Sequence, residues 1–231
     1  MALLYASVGH GGASGYLALL SLFAMAPQEM ATSALCLNLL VSGLAFWAFW
    51  KRGYFSSQLT WPFVAASVPA SFIGGMWHVS VPLYRTLLAI VLLFATLRLV
   101  VQVPETKQSF RVIPGFSVAL PFGAGIGLLS GIVGVGGGIF LSPLLLLKNW
   151  GDPKRIAATS AVFIFVNSVA GLLGRLFGGQ FQFGGTLLLV IPAFLGGWVG
   201  SRLGANHFSG LILRRILAAV LVISVLKLLL S

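Results

Sequence analysis

Acidic residues are the scarcest feature of this chain. Glu29, Glu105 and Asp152 are the only three among 231 residues, and charged residues make up 7% of the sequence against 58% hydrophobic residues. A water-soluble domain carries charge on about a quarter of its positions. This composition therefore excludes an ordinary soluble surface, and we expect lipid to surround most of the chain.

Cysteine and clustered charge are lacking as well. Cys36 is alone, which excludes an intrachain disulfide. The net charge of +11 would suit nucleic acid, but the basic residues are scattered between apolar runs, so we expect no nucleic-acid partner. Short basic loops between apolar runs are instead typical of membrane topology signals. The few histidines and acids form no catalytic or metal-binding constellation, so the sequence predicts neither an enzyme nor a cofactor.

Long apolar runs are abundant, and most approach the length of about 20 residues that crosses a bilayer. We predict an all-α polytopic membrane protein with eight or nine transmembrane segments, at 2–25, 30–50, 60–79, 83–103, 112–132, 139–148, 156–175, 186–204 and 209–230. The stretch 112–147 would be roughly 50 Å long as one helix, beyond a hydrocarbon core of about 30 Å. The glycine run at 134–138 is expected to break it.

Three short signatures occur twice in the same order. Residues 8–12 match 133–137, residues 31–34 match 158–161, and residues 69–75 echo 192–197. Such self-similarity indicates duplication, and two repeats with interrupted helices are typical of secondary transporters. We predict a first transmembrane repeat at 1–103, a linker at 104–111 and a second repeat at 112–231.

The 14 basic residues discriminate between parallel and inverted halves. If 112–147 is one broken crossing, the halves are parallel and the basic residues divide equally between the two sides. If 112–132 and 139–148 cross separately, only Arg85, Arg175 and Lys227 lie opposite all the others. Because cytoplasmic loops carry an excess of Lys and Arg, we predict inverted repeats with the linker in the cytoplasm.

The segment 131–145, Gly-Ile-Val-Gly-Val-Gly-Gly-Gly-Ile-Phe-Leu-Ser-Pro-Leu-Leu, resembles the signature of the TauE/SafE sulfite-exporter family. The Ala-Thr-Ser segment at 158–160 strengthens the match, and the resemblance covers nearly the whole chain. It implies a multi-pass permease of the cell inner membrane that carries sulfite, organosulfonates or related anions. The first half departs from the pattern, since His10 stands where the second copy has Val135 and Ala13 replaces the third glycine.

Glycine clusters inside a membrane leave backbone amides and carbonyls unpaired unless a cavity, water or a ligand satisfies them. Where a half-helix follows, its amides and dipole make an anion site without a charged side chain. We therefore predict substrate-binding roles for the two matched clusters, and the alternative is close helix packing. The clusters are Gly11, Gly12, Gly136, Gly137 and Gly138. The isolated pairs at 74–75 and 196–197 are expected to serve packing.

Polar side chains near these clusters complete the predicted substrate site. His10 could bind an anion or a coupling proton, or lie at the membrane surface. The Thr-Ser pairs could instead cap helices, and the asparagines could join helices. Arg175 is expected to be an interfacial anchor. The candidates are His10, Thr32, Ser33, Asn38, Thr159, Ser160 and Asn167.

These features predict a secondary transporter whose partners are a small anionic substrate and the lipid bilayer. Proton coupling and a homodimer are both compatible with the sequence. An anion channel and a non-transporting membrane scaffold are the alternative functions, and the three are distinguished by saturation of transport and by tolerance to loss of the glycine clusters.

Overall fold

The computed structural model describes residues 1–23, 25–100, 114–182 and 187–204, and the secondary structure within these ranges is helical. Four helices are long and apolar enough to cross a membrane, and shorter apolar helices accompany them. The prediction of an all-α polytopic membrane protein is therefore confirmed. The predicted linker 104–111 and the predicted segment 209–230 lie outside the described residues.

The helices are α1 (Ala2–Ser7), α2 (Ala13–Leu22), α3 (Pro27–Trp50), α4 (Ser57–Met76), α5 (Val81–Val100), α6 (Phe116–Val133), α7 (Gly138–Leu147), α8 (Pro153–Phe177) and α9 (Leu187–Gly204). The four long ones are α3, α4, α6 and α8.

Both glycine clusters interrupt helices. The predicted break within 112–147 is confirmed, because α6 ends before Gly134 and α7 starts at Gly138. The segment predicted at 2–25 is divided in the structure, because a second glycine turn separates α1 from α2. Gly12 and Gly137 precede α2 and α7 at φ 95° and 82°, a region that costs a side-chain-bearing residue about 1–2 kcal/mol. Each half-helix has ten residues, so it is about 15 Å long and crosses only half a membrane.

Helices α3 and α8 run antiparallel through the middle of the structure. Leu35, in the first half of α3, packs over Gly171 near the end of α8. Phe49, at the end of α3, clusters with Ala157 and Ala158 near the start of α8. The end of α3 and the start of α8 therefore lie at the same end of the structure.

Basic residues gather at that end, which we call the basic end: Lys51, Arg52, Lys148, Lys154 and Arg155. The Lys154 ammonium donates to the Tyr54 hydroxyl at 3.1 Å, and the Lys51 ammonium lies 4.5 Å from the centre of the Trp47 ring. Basic and aromatic residues together are typical of a membrane–water interface. The assignment of this end to the cytoplasm stays a prediction.

Helices α4 and α6 touch along their backbones. Gly123, Gly127 and Gly131 recur every fourth residue of α6, so they share one face. A Cβ added at Gly127 would lie 2.6 Å from the Ser67 Cα, and small residues allow this approach in lipid. The packing role expected for the isolated glycine pairs is confirmed, since an added Cβ would meet Leu128 or Gly171 from the first pair and Ala2 or Val41 from the second. The pairs are Gly74 with Gly75 and Gly196 with Gly197.

We predict that Gly127→Ala lowers the free energy of unfolding by about 1–3 kcal/mol, because the added methyl group overlaps the Ser67 backbone. Gly125→Ala is the matched control on the same helix, since a Cβ there meets nothing within 4 Å. Unfolding of both purified variants in the same detergent measures the difference. Equal stability would show that the α4–α6 contact does not depend on this glycine.

Candidate functional site

The two glycine turns meet at the same pair of side chains, Asn38 of α3 and Ile164 of α8. A Cβ added at Gly136 would lie 2.6 Å from Asn38 Nδ2 and 2.8 Å from Ile164 Cγ2. A Cβ added at Gly11 would overlap Asn38 Oδ1 and lie 3.1 Å from Ile164 Cγ2. Both positions therefore require glycine, because the turns close on Asn38 from two directions.

The Asn38 side chain is fully buried, and neither Oδ1 nor Nδ2 has a hydrogen-bond partner within the described ranges. A buried polar group left unpaired costs about 1–3 kcal/mol, and native proteins retain few of them. Around Asn38, the described part of the chain offers no backbone carbonyl to the amides of Gly11, Gly12, Gly136 and Gly137. Both turns that contact Asn38 thus contain amides without a backbone partner.

Helices α2 and α7 both begin at this point. Their N-caps are Gly12 and Gly137, and neither helix has a side-chain cap. The first amides of an uncapped helix and its dipole favour negative charge. A Cβ added at either N-cap would face neighbouring core side chains (Tyr16, or Ile126 and Phe163), so these two glycines form the turns rather than contact Asn38. Gly138 opens α7 and faces Ile164.

His10 joins the first glycine turn to the second half of the chain. Its Nδ1 lies 3.0 Å from the Val8 carbonyl oxygen, and its Nε2 lies 3.1 Å from Ser142 Oγ. Ser142 Oγ lies in turn 2.7 Å from Ser160 Oγ. The hydrogen-bonded chain His10–Ser142–Ser160 therefore connects three elements, and it brings together two of the predicted site residues through Ser142.

The other predicted residues lie at different places. Thr32 and Ser33 are fully buried and follow Ala31, on which Gly134 packs. The Thr32 hydroxyl has no hydrogen-bond partner within the described ranges. The capping alternative for the Thr-Ser pairs is wrong, because the N-caps of α3 and α8 are Ala26 and Asp152.

Thr159 and Asn167 join α8 to α4 rather than to the glycine turns. Thr159 accepts a hydrogen bond from Thr60 at 3.2 Å, and Asn167 Nδ2 donates to Ser67 Oγ at 3.1 Å. The interhelical role that was the alternative for the asparagines is thus what Asn167 performs. Asn38 has a different environment, since its amide makes no such bond within the described ranges.

Arg175 is buried, with 3% of its surface exposed, so the expectation of an interfacial anchor is wrong. Its Nη2 donates to the carbonyl oxygens of Gly131 at 3.2 Å and Ile132 at 2.6 Å. The Tyr84 hydroxyl donates to the next carbonyl, that of Val133, at 3.1 Å. A cation at a helix C-terminus compensates the negative end of the dipole. Arg175 therefore stabilises the end of α6 just before the second glycine turn.

Ser142 was not among the predicted site residues. It lies within the glycine-rich signature, but the equivalent position in the first half is Leu17, so comparison of the halves passed over it. Ile164 was missed because an apolar side chain in an apolar helix carries no sequence signal.

The family model described as "Sulfite exporter TauE/SafE" matches residues 1–228. The chain belongs to the TauE/SafE family. It is 36% identical over 239 aligned residues to "Probable membrane transporter protein y4hK" of Sinorhizobium fredii, with 99% of this chain and 94% of the relative covered. It is 32% identical over 89 residues to "Probable membrane transporter protein YunE" of Bacillus subtilis, covering 38% of this chain and 31% of the relative. No solved structure matches the chain.

This TauE/SafE chain is accordingly a multi-pass membrane transporter. In its described residues, the two glycine turns both contact a single buried amide, that of Asn38.

We predict that Asn38→Leu and Asn167→Leu differ in stability although they make the same change. Asn167→Leu removes the hydrogen bonds to Ser67 and to the Phe163 carbonyl. Asn38→Leu removes no side-chain hydrogen bond within the described ranges, and it replaces an unpaired buried amide by an apolar group. We expect Asn38→Leu to be the more stable by about 1–3 kcal/mol, as measured by unfolding of the purified variants. A lower stability of Asn38→Leu would mean that its amide is paired in the native protein.

Proposed function

We propose that this chain is a secondary transporter of small anions, with sulfite, an organosulfonate or a related sulfur-containing anion as its substrate, in the bacterial inner membrane. The observation that carries the proposal is the buried, unpaired amide of Asn38 between two glycine turns. The groups left without partners within the described ranges include donors, namely backbone amides of the two turns and the Asn38 Nδ2. A sulfur oxyanion presents several acceptor oxygens, which suits such donors at two helix N-termini.

The names of the relatives and of the family support transport, and the family name supports sulfite. A second support is the lack of a carboxylate near the site in the described residues, since Glu29 lies in the first turn of α3 and Asp152 caps α8. A cation site of the usual kind would need carboxylate or carbonyl ligands. Donor groups without an acid favour an anion.

We further propose that the two halves are inverted repeats that rock about the site. The antiparallel course of α3 and α8 supports this, because these helices carry the matched Ala-Thr-Ser signatures. The helices also pack in corresponding pairs, since α4 contacts α6 and α8 as α9 contacts α1 and α3. Rocking of inverted repeats exposes a central site to each side in turn.

We predict that Gly136→Ala reduces anion uptake into proteoliposomes by about tenfold or more, a loss that corresponds to about 1.4 kcal/mol. The reason is that the added methyl group occupies the contact with Asn38. Gly53→Ala is the matched control, because Gly53 has the same φ of 74° but a Cβ there meets nothing within 4 Å. Both glycines have the same positive φ, so the contacts with Asn38 and Ile164 distinguish the two variants.

The uptake assay compares sulfite, thiosulfate, sulfonates and carboxylates at increasing concentration. Saturating uptake that Gly136→Ala loses and Gly53→Ala retains supports the proposal. Normal uptake by Gly136→Ala would contradict the site. Conductance without saturation would indicate a channel, and the absence of uptake of every anion would indicate a scaffold.

A further inference from the structure

The two glycine turns are closed by different chemistry. At the second turn, Val135 and Leu17 both lie in one buried apolar cluster. At the first turn, the equivalent positions are His10 and Ser142, which are hydrogen-bonded at 3.1 Å. The first turn lies toward the basic end, since Gly9 packs on Ala157 near the start of α8. A titratable polar chain therefore closes the site on the basic side, and apolar packing closes it on the other.

The hydrogen-bond partners define the protonation of the ring in its neutral form. A carbonyl oxygen can only accept, so Nδ1 carries the proton that is donated to Val8. The neutral Nε2 then accepts from the Ser142 hydroxyl, which accepts from Ser160. If a proton binds at Nε2, this atom becomes a donor. The Ser142 hydroxyl must then turn and donate to Ser160, so both hydrogen bonds in the series His10–Ser142–Ser160 reverse their direction.

Ser160, the last residue of this hydrogen-bonded series, lies beside the proposed anion site. Ser160 is one helical turn before Ile164 on the same face of α8, and Ile164 contacts both glycine turns. Ser142 lies on α7, whose N-terminus is one of the two that face the site. A charge at His10 therefore acts on the site through space and through the helix that carries Ser142.

We propose that His10 is the proton-binding site of the transporter and that Ser142 and Ser160 are positioning residues that couple its protonation to anion binding. This inference rests on the proposed function, because it takes Asn38 as the centre of the anion site. A proton on His10 adds a positive charge near the anion, so each ligand increases the affinity for the other by the same factor. Histidine suits the role because its charge changes near neutral pH.

Hydroxyl and aromatic groups lie near the ring. On α1, the Tyr5 ring lies 6.4 Å from the His10 ring, and its hydroxyl is bonded to Ser14. On α7 and α8, the hydroxyls of Ser142 and Ser160 are linked to the ring. Three charged residues lie on α8: Lys154 and Arg155 at its exposed start, where Arg155 pairs with Asp152, and Arg175 in its last turn, bonded to carbonyls of α6. Hydroxyls can both donate and accept, so they follow a change in the charge of the ring.

The test uses an alkanesulfonate, whose charge does not change between about pH 5 and 8, the range in which histidine titrates. It measures the affinity for this anion as a function of pH, and proton uptake on its addition in weak buffer, with the purified full chain. For the wild type we expect proton uptake and an affinity that falls by up to about tenfold per pH unit as the ring deprotonates. His10→Gln retains an acceptor for Ser142 but does not titrate, so its affinity should not change with pH and it should take up no proton. His78→Gln, at an exposed loop position, is the control and should behave as the wild type.

Ser142→Ala tests the coupling between proton and anion binding separately from the proton site. It also gives an independent result if the His10 variant misfolds. It retains the titratable ring, so nitrogen NMR of labelled histidine should still show His10 titrating, while the pH dependence of sulfonate affinity becomes shallower. Sulfonate affinity with the same pH dependence in the wild type and in His10→Gln would overturn the inference and leave the anion site intact. A ring that does not titrate between about pH 5 and 8 would overturn it without reference to any anion. Failure of the wild type to bind any anion would overturn the proposed function itself.

Discussion

Two segments of this chain leave the helical conformation inside an apolar environment, where every unpaired amide costs free energy. The rest of the structure follows from how that cost is met. Each glycine turn packs on the long helix of the opposite half, Gly9 on Ala157 and Gly134 on Ala31. Both turns then close on the amide of Asn38. Because the contacts cross between the halves, neither half can move without changing the surroundings of that amide.

The two kinds of helix end differ in their side-chain hydrogen-bond partners. The last carbonyls of α6 accept hydrogen bonds from Arg175 and Tyr84, and those of α4 accept from Gln180. The N-termini of α2 and α7 have no such side-chain partner. The described residues thus supply donors for these carbonyls of α4 and α6 but no side-chain cap for the two N-termini. On the proposed function, an anion would occupy these N-termini, so the site would need no charged side chain of its own.

Much of the fold could be predicted because lipid imposes it. A bilayer demands long apolar helices, and glycine runs must interrupt them where the chain turns. The position of Asn38 between both turns could not be predicted, since it depends on how α3 crosses α8. The comparison of Asn38 with Asn167 was misleading for a geometric reason. Asn38 lies five residues after Ser33 and Asn167 seven after Ser160, so the two side chains point about 200° apart around their helices. Arg175 could not be distinguished from an interfacial anchor, because only packing shows that its guanidinium faces carbonyls.

The unlike closure of the two turns would make the two opening steps of the proposed transport cycle unequal in free energy. Opening the turn at His10 exchanges hydrogen bonds to serine for hydrogen bonds to water, and the net cost of such an exchange is only about 0.5–1.5 kcal/mol per bond. Opening the turn at Val135 would expose that side chain and Leu17 of the same buried cluster, and each buried aliphatic side chain contributes about 1.5–3 kcal/mol. In the proposed transporter, two halves of similar sequence therefore open with different free energies. Protonation would change only the first of these costs, since Val135 and Leu17 do not titrate. On the proposed mechanism, this difference between the two turns is what couples a bound proton to the exchange of an anion between the two sides.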